Sequence, residues 1–373
     1  MKHIFCYVFF LFLCLNGISL ADSITKESTI YLRDDVGTGN EDKLLTVHFI
    51  DVGGGDAILI NTPSGKKILI DGGWNYLDRG KAKKEYLAYL NQFLEDDVVD
   101  LVIITHPDYD HFAGLSAILD SHVVQQIWYN GYDSEDLAVS WGKLTTKIDE
   151  KEGLIYISPI DNFFGLGSII RFDDSLTPDK SDDVVLTIIN ARQHVGVEAY
   201  GSMRSIDEAR RRNSSSLVLR LDFGSTSFLF TGDTNGRKKT STDVNECEDQ
   251  ELFMVMNNNN PNSPLYGLLN CSVLKVAHHG SNGSSSLPFL KASKPDWAVI
   301  SAGVHYDHPH EDVLLRLKHQ GVALDDTHIL RTDAGEDDQS TANEFNLGDD
   351  CYQFLVDSTG ILKVEKWNVY LGE

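Results

Sequence analysis

Leu101-Val-Ile-Ile-Thr105-His106-Pro107-Asp108-Tyr109-Asp110-His111 is the stretch on which the reading of this chain turns. Its first five residues form a short, continuous apolar run. Such runs mark strands buried on both faces, and hence a sheet covered by a layer on each side. Four potential metal ligands then follow within six residues, at the strand's C-terminal end. Pro107 sets the exit from the strand, and His111 stands where a helix reaching to about Leu119 begins. A polar turn in which Asp110 caps that helix would need one such residue, not four. In this loop His106 and Asp108 can turn to one cation while Asp110 and His111 reach a second. Two cations about 3.5–4 Å apart can share one hydroxide and clamp the attacking and leaving oxygens of a displacement.

Outward from this stretch the pattern is strand then helix, delivered twice. Leu44–Ile50 alternates apolar and polar like a half-buried strand. Ala57–Asn61 and Lys67–Ile70 follow, parted by the turn signal Thr62-Pro63-Ser64-Gly65. An amphipathic helix is expected over Gly80–Leu94 and a strand over Val123–Tyr129. The stretch 130–212 is mixed, with strands expected at Leu154–Ile157, Ser168–Phe172 and Val184–Asn190. Clear alternation returns in Ser215–Phe223, Ser227–Thr231 and Cys271–Ala277. The second half closes with a helix near Ser285–Ala292, a strand Ala298–Ser301, a helix Glu311–Gln320, and strands near Tyr352–Val356 and Leu362–Val364. The polar run 235–270, with its NECEDQE and Asn257–Asn260, reads as an exposed insertion. The whole implies an α/β chain of two β-rich halves packed face to face under helices.

Three further strand ends carry chemistry. Phe230-Thr-Gly-Asp233 ends an apolar strand in a carboxylate placed well for a bridging ligand. Leu274-Lys275-Val-Ala-His278-His279-Gly-Ser281 ends another in two histidines. Ile68-Leu-Ile-Asp71-Gly-Gly73 ends a third in an aspartate and two glycines. Adjacent side chains leaving a strand point to opposite faces, so His279 is expected beside the ligands rather than among them. Lys275, inside a strand, reads as a partner of local acids. Ser281, Asn282 and Ser284–Ser286 read as the cap of the next helix.

His106-Pro-Asp108-Tyr-Asp110-His111, Leu229-Phe-Thr-Gly-Asp233, Lys275-Val-Ala-His278-His279-Gly-Ser and Tyr306-Asp-His308-Pro309-His310 together resemble the metallo-β-lactamase superfamily. With Phe49-Ile-Asp-Val-Gly-Gly-Gly-Asp56-Ala57 they are similar to the soluble hydrolase domain of bacterial DNA-internalisation competence proteins. The resemblance spans residues 44–365 and implies a four-layer αββα sandwich holding two divalent metal ions, Zn²⁺ or Mn²⁺. On it, His106 and Asp108 would hold the first ion. Asp110, His111 and His278 would hold the second, with Asp233 bridging. Asp71 and His279 would orient ligands, Asp110 or Asp233 would also orient the nucleophile, and His308 would contact a developing charge or protonate a leaving group. The superfamily's middle histidine has no clear counterpart; His194 or Asn213 could stand in, Asn213 also as a substrate contact. The competence branch's usual loop glutamine is Gly54 here.

Of the 373 residues, 32 are Lys or Arg and 56 Asp or Glu, for a formal net charge of -24. Met1–Ala21 has a basic start, an apolar run from Ile4 to Leu15 and a small-residue end, the pattern of an export signal. The run falls short of the about 20 apolar residues of a membrane span, so export to a secreted or periplasmic location is expected, with an uncleaved anchor as the alternative. Removing it takes one Lys and no acid, leaving -25 and a flexible lead-in over 22–43. That charge excludes a basic nucleic-acid packager and argues against unaided, sequence-independent binding, so no stable nucleic-acid partner is expected. It leaves room for a small-molecule or short nucleotide-type substrate. Cys247, Cys271 and Cys351 allow one bridge at most, so stability rests on a buried core. The expected function is a secreted metal-dependent hydrolase, acting through a bridging hydroxide on a phosphodiester. The alternatives are a lactam, lactone or thioester hydrolase and a catalytically silent metal-binding protein.

Overall fold

The structure, a computed structural model, describes residues 29–32, 44–74, 80–94, 97–132, 139–158, 165–172, 183–191, 208–303, 307–334, 350–357 and 360–367. The stretch read as an export signal, His194 and Tyr306 lie outside the described residues.

Among the described residues, two eight-stranded mixed sheets face each other. One runs β16 (Gly360–Trp367), β15 (Cys351–Asp357), β2 (Leu45–Phe49), β3 (Ile58–Asn61), β4 (Lys67–Ile70), β5 (Val98–Ile104), β6 (Val123–Tyr129) and β7 (Ile155–Ile157). The other runs β1 (Thr29–Leu32), β8 (Ile169–Phe172), β9 (Val184–Asn190), β10 (Val218–Phe223), β11 (Thr226–Phe230), β12 (Val273–Lys275), β13 (Trp297–Ile300) and β14 (Ile329–Arg331). Each contains an antiparallel stretch that passes into a parallel one, β4 to β7 in the first and β11 to β14 in the second. The C-terminal ends of β4, β5, β11 and β12 meet on one rim.

The apolar run 101–104 shows why the layers form. Leu101 and Ile103 enter the core between the sheets, with Val47, Phe49, Phe228 and Phe230. Val102 and Ile104 face outward onto α1 (Gly80–Phe93), α3 (Leu115–Ser121) and α4 (Val139–Asp149). These helices bury residues three or four apart, such as Tyr86, Tyr89 and Leu90, or Trp141, Leu144 and Ile148, the stripe of an amphipathic helix. On the outer face of the second sheet a third core gathers α6 (Asp249–Asn258), α7 (Leu287–Ser293) and α8 (Glu311–Leu317) around Leu274, Ile300 and Val313. The order is helix, sheet, sheet, helix: the expected αββα sandwich. Two short helices complete the rim, α2 (Tyr109–Phe112) and α5 (Glu208–Ser214). Among the described residues no helix is long and apolar enough to cross a membrane.

The strands expected over residues 44–70, 123–129 and 184–190 appear within a residue or two of their expected bounds. Two expectations are corrected. Part of the lead-in, Thr29–Leu32, is a strand paired in parallel with β8. The stretch 235–270 is not simply exposed: Asn235, Arg237, Gln250, Glu251, Met254, Leu265 and Leu269 are buried. Its polar residues are internal partners. Glu248 and Asp249 pair with Arg210, and the Glu251 carboxylate accepts from the backbone N–H groups of Ser285 and Ser286 at 2.6 and 2.7 Å. Composition registers the polarity of such residues but not the partner waiting for them. The three cysteines 247, 271 and 351 are all free thiols.

Candidate active site

Asp71 leaves β4 as a fully buried carboxylate. It accepts hydrogen bonds from the Thr105 backbone N–H at 2.7 Å, from the Thr105 hydroxyl at 2.7 Å and from His111 Nδ1 at 2.8 Å. Donating Nδ1–H to a carboxylate turns a histidine's Nε2 outward as a ligand atom. His111 Nε2 accordingly lies 3.4 Å from Asp233 Oδ1 and 3.3 Å from His279 Nε2. His106, also fully buried, has its Nδ1 within 3.3 Å of the Ser216 hydroxyl, and its Nε2 is 3.9 Å from Asp233 Oδ2 and 3.8 Å from Asp108 Oδ2.

The opposite sheet supplies Asp233, His278 and His279. Gly232, at φ +51, precedes Asp233; a Cβ there would sit 2.8 Å from that of Ser216, so only glycine allows this approach. The Ser216 hydroxyl accepts from the Asp233 N–H, linking Asp233 to His106. The Leu217 N–H donates to the Thr105 carbonyl and ties the two sheets at the site. His279 Nε2 lies 3.3 Å from Asp233 Oδ2 and 3.4 Å from Asp110 Oδ2, and its Nδ1 is 2.8 Å from the Ser301 carbonyl.

His278 points differently. Its Nε2 is 3.7 Å from Asp233 Oδ2, and the Asn213 amide lies 3.3–3.4 Å from its ring nitrogens. The strand alternation that set His279 aside does not apply. β12 ends at Lys275, and both histidines adopt left-handed backbone, φ 49 and 52. Among the described residues, four groups of side chains bring three donor atoms within 4.8 Å of one another: His106–His111–Asp233, Asp110–His111–His279, Asp56–Asp233–His279 and Asp56–Asp71–His111. His279 enters two of them, whereas His278 and Asp108 enter none. Asp108 instead takes a hydrogen bond from Arg212 Nε.

Sequence reasoning missed Asp56, a lone aspartate after a glycine loop. Its carboxylate meets the Lys275 ammonium at 2.5 Å, both side chains being buried. The signal available was the close packing that the glycines permit: a Cβ on Gly55, at φ +108, would lie 2.0 Å from the Asp110 carbonyl oxygen. His308 is half-buried, its ring centroid 5.7 Å from that of His278 and 6.3 Å from that of His279. The α8 helix takes His310 as its N-cap, so Pro309 precedes the helix rather than opening its first turn.

Burial works against every charge here, and the pairings decide the outcome. At His111 burial opposes the proton, but Asp233, Asp71 and Asp110 overcome it and hold the pKa well above the ordinary value. At His279 burial is likewise outweighed, by Asp233 and Asp56, and the pKa rises to about 10. Asp233 and Asp110 are held below the carboxylate range against burial, by His279 and His111 above all. Burial pushes His106 well down, His278 to about 4 and His308 to about 3, and lifts Asp108 to about 6 against Arg212. His111 and His279 thus lie where positive charge is favoured by Asp110 and Asp233, and a divalent cation would supply that charge in place of protons. The donor set fits one. Among the described residues, His106 Nε2, Asp233 Oδ1 and Asp56 Oδ1 are buried with no hydrogen-bond partner, which buried polar atoms rarely tolerate.

Residues 50–305 match the model of the metallo-beta-lactamase superfamily, and the chain belongs to that superfamily of metal-binding hydrolases. Its relatives narrow the branch. It is 28% identical over 300 residues to ComE operon protein 3 of Bacillus subtilis, which covers 77% of this chain and 32% of that protein. It is 27% identical over 285 residues to Recombination protein 2 of Haemophilus influenzae, covering 76% of this chain and 28% of that one. The chain therefore spans about a third or less of these relatives' length. Among solved structures it is similar to the metallo-beta-lactamase fold protein YhfI from Bacillus subtilis. The TM-score is 0.42 at 13% identity, with 78% of this chain and 96% of that chain covered.

Proposed function

We propose that the protein hydrolyses a phosphodiester with the help of two divalent cations. The observation that carries this reading is the convergence of buried, unpartnered donors from both sheets on Asp233. Similarity to a protein named for recombination favours a phosphodiester over other esters. His106, His111, His279, Asp110 and Asp233 would hold the cations, with His278 and Asp108 at the margin. Such cations supply Lewis acidity: they lower the pKa of water and offset charge on the oxygens of the displacement.

The chain's own groups do the rest. Asp71 fixes the His111 ring through Nδ1, and Ser216 holds His106 and the Asp233 backbone in one frame. Asp110, at the partly exposed edge, would orient the attacking water. His308, neutral near pH 7, offers hydrogen bonding to the departing group rather than a positive charge. Asn213 reaches the same space from α5 beside His278. Export through Met1–Ala21 belongs to the same proposal.

The test is cation content followed by turnover of bis(p-nitrophenyl) phosphate and of nitrocefin. The expected result is bound divalent metal, phosphodiester turnover, and a loss of about 10²–10³-fold in Asp110→Ala. Turnover of nitrocefin alone would replace the reading by lactam hydrolysis. Tight metal without turnover of either would leave a silent metal-binding protein.

A further inference from the structure

The chain carries a large surplus of acid, yet two cations at the margin of the site have, among the described residues, no acidic partner outside the site itself. They emerge when the basic residues of two short segments are compared. In Arg210-Arg211-Arg212, Arg210 is taken up by Asp249 and Glu248, and Arg211 by Glu208. In Arg237-Lys238-Lys239, Arg237 is buried and donates to the carbonyls of Ser241 and Asp243, while Lys238 lies near Glu246 and Glu248. Arg212 and Lys239 remain.

Arg212 is one-fifth exposed and meets the site's own Asp108 through Nε. Among the described residues its two terminal amino groups have no hydrogen-bond acceptor. Planar guanidinium groups with free terminal N–H pairs match the oxygens of a phosphate. Asp108 lies 3.8 Å from His106 Nε2. A cation drawn to that pair would share the Asp108 charge and leave Arg212 with positive charge to spare.

Lys239 approaches from the segment after Asp233, which packs against the loop that follows the two histidines. The Gly236 and Arg237 N–H groups both donate to the Gly283 carbonyl, and Asn282 donates to the Lys239 carbonyl at 2.9 Å. The Lys239 side chain runs past Gly283, its Cγ 3.2 Å from where a Cβ would stand there. Its exposed ammonium has no carboxylate partner among the described residues, and its charge is felt at His278. A neutral lactam or lactone gives two such cations nothing to bind.

We propose that Arg212 and Lys239 select a negatively charged substrate, a phosphodiester with a further phosphate beside it. Arg212 takes non-bridging oxygens next to Asp108, and Lys239 takes the neighbouring phosphate beside the His278 loop. The inference rests on the phosphodiester reading above and extends it to a short nucleotide-type chain. A two-point clamp explains how so acidic a protein can hold a short polyanion without a basic face to carry a long one.

The test measures binding of a 5′-phosphorylated dinucleotide with a phosphorothioate link, by calorimetry on the cation-loaded full chain. Wild type, Arg212→Gln, Arg212→Lys, Lys239→Gln and the double glutamine variant are compared, each with its cation content measured. The expected result is about tenfold weaker binding in Arg212→Gln, three- to fivefold in Lys239→Gln, and recovery of most of the loss in Arg212→Lys. Binding by the double variant should also lose its dependence on salt. Lys239→Gln lies apart from the candidate ligands, so it reads the clamp even where Arg212→Gln disturbs Asp108. Unchanged binding in Lys239→Gln and in the double variant overturns the proposal, as does wild-type protein that binds no dinucleotide. Binding that follows the expected pattern without phosphodiester turnover would keep the clamp and sink the hydrolase reading. Turnover with unchanged binding would do the reverse.

Discussion

The two halves of the site are built on different plans. In the first sheet, His106, Asp108, Asp110 and His111 lie within six residues, and their main support, Asp71, ends the neighbouring strand β4. Sequence neighbours and adjacent strands suffice to hold that half. In the second sheet, the loop of His278 and His279 is held from far away. Glu251 accepts the Ser285 and Ser286 N–H groups, and Arg316 donates to the Ser284 and Ser285 carbonyls and to Asn282. Self-contained half-sites are compact in sequence; braced ones are scattered through it.

The sharpest way to break this contrast is to remove the residue both halves share. Asp233→Ala should lower phosphodiester turnover by at least about 10³-fold and lower bound metal, read by kinetics and elemental analysis. Retained metal and activity would mean that the halves do not meet on Asp233. Next in size is the brace. Glu251→Ala leaves two buried N–H groups without an acceptor and should cost roughly 2–4 kcal/mol in denaturant unfolding, while the His106 half keeps its geometry. A change below about 0.5 kcal/mol would show that the second half stands without its brace. The smallest effect is expected in the self-contained half. Asp71→Asn keeps shape but not charge, and should weaken metal affinity about 10–100-fold with near-normal folding.

Legibility in the sequence follows the same division. The αββα layering could be read because continuous runs such as 101–104 must be covered on both faces. His106–His111 could be read because four donor-type residues crowd one strand end. Glu251 could not, because its partners lie 34 and 35 residues onward and an acidic run looks like solvent-facing loop. The directions of His278 and His279 were not legible for a backbone reason: two left-handed residues in succession redirect side chains that a strand would have alternated. Asp56 gave too little signal, being one carboxylate whose meaning depends on Lys275, more than two hundred residues away in sequence.

The hydrogen bond from Leu217 to Thr105, beneath the clustered acids, has a thermodynamic consequence. The sheets are joined there by neutral backbone atoms, while Asp56, Asp71, Asp110 and Asp233 crowd the seam from both sides. A divalent ion gripping residues of both sheets would act as a rivet across the seam. Anything that binds only the folded state stabilises it by mass action, about 2.7 kcal/mol at a hundred times the dissociation constant. The heat resistance of this chain would then be a gauge of metal supply, set by its surroundings as much as by its sequence.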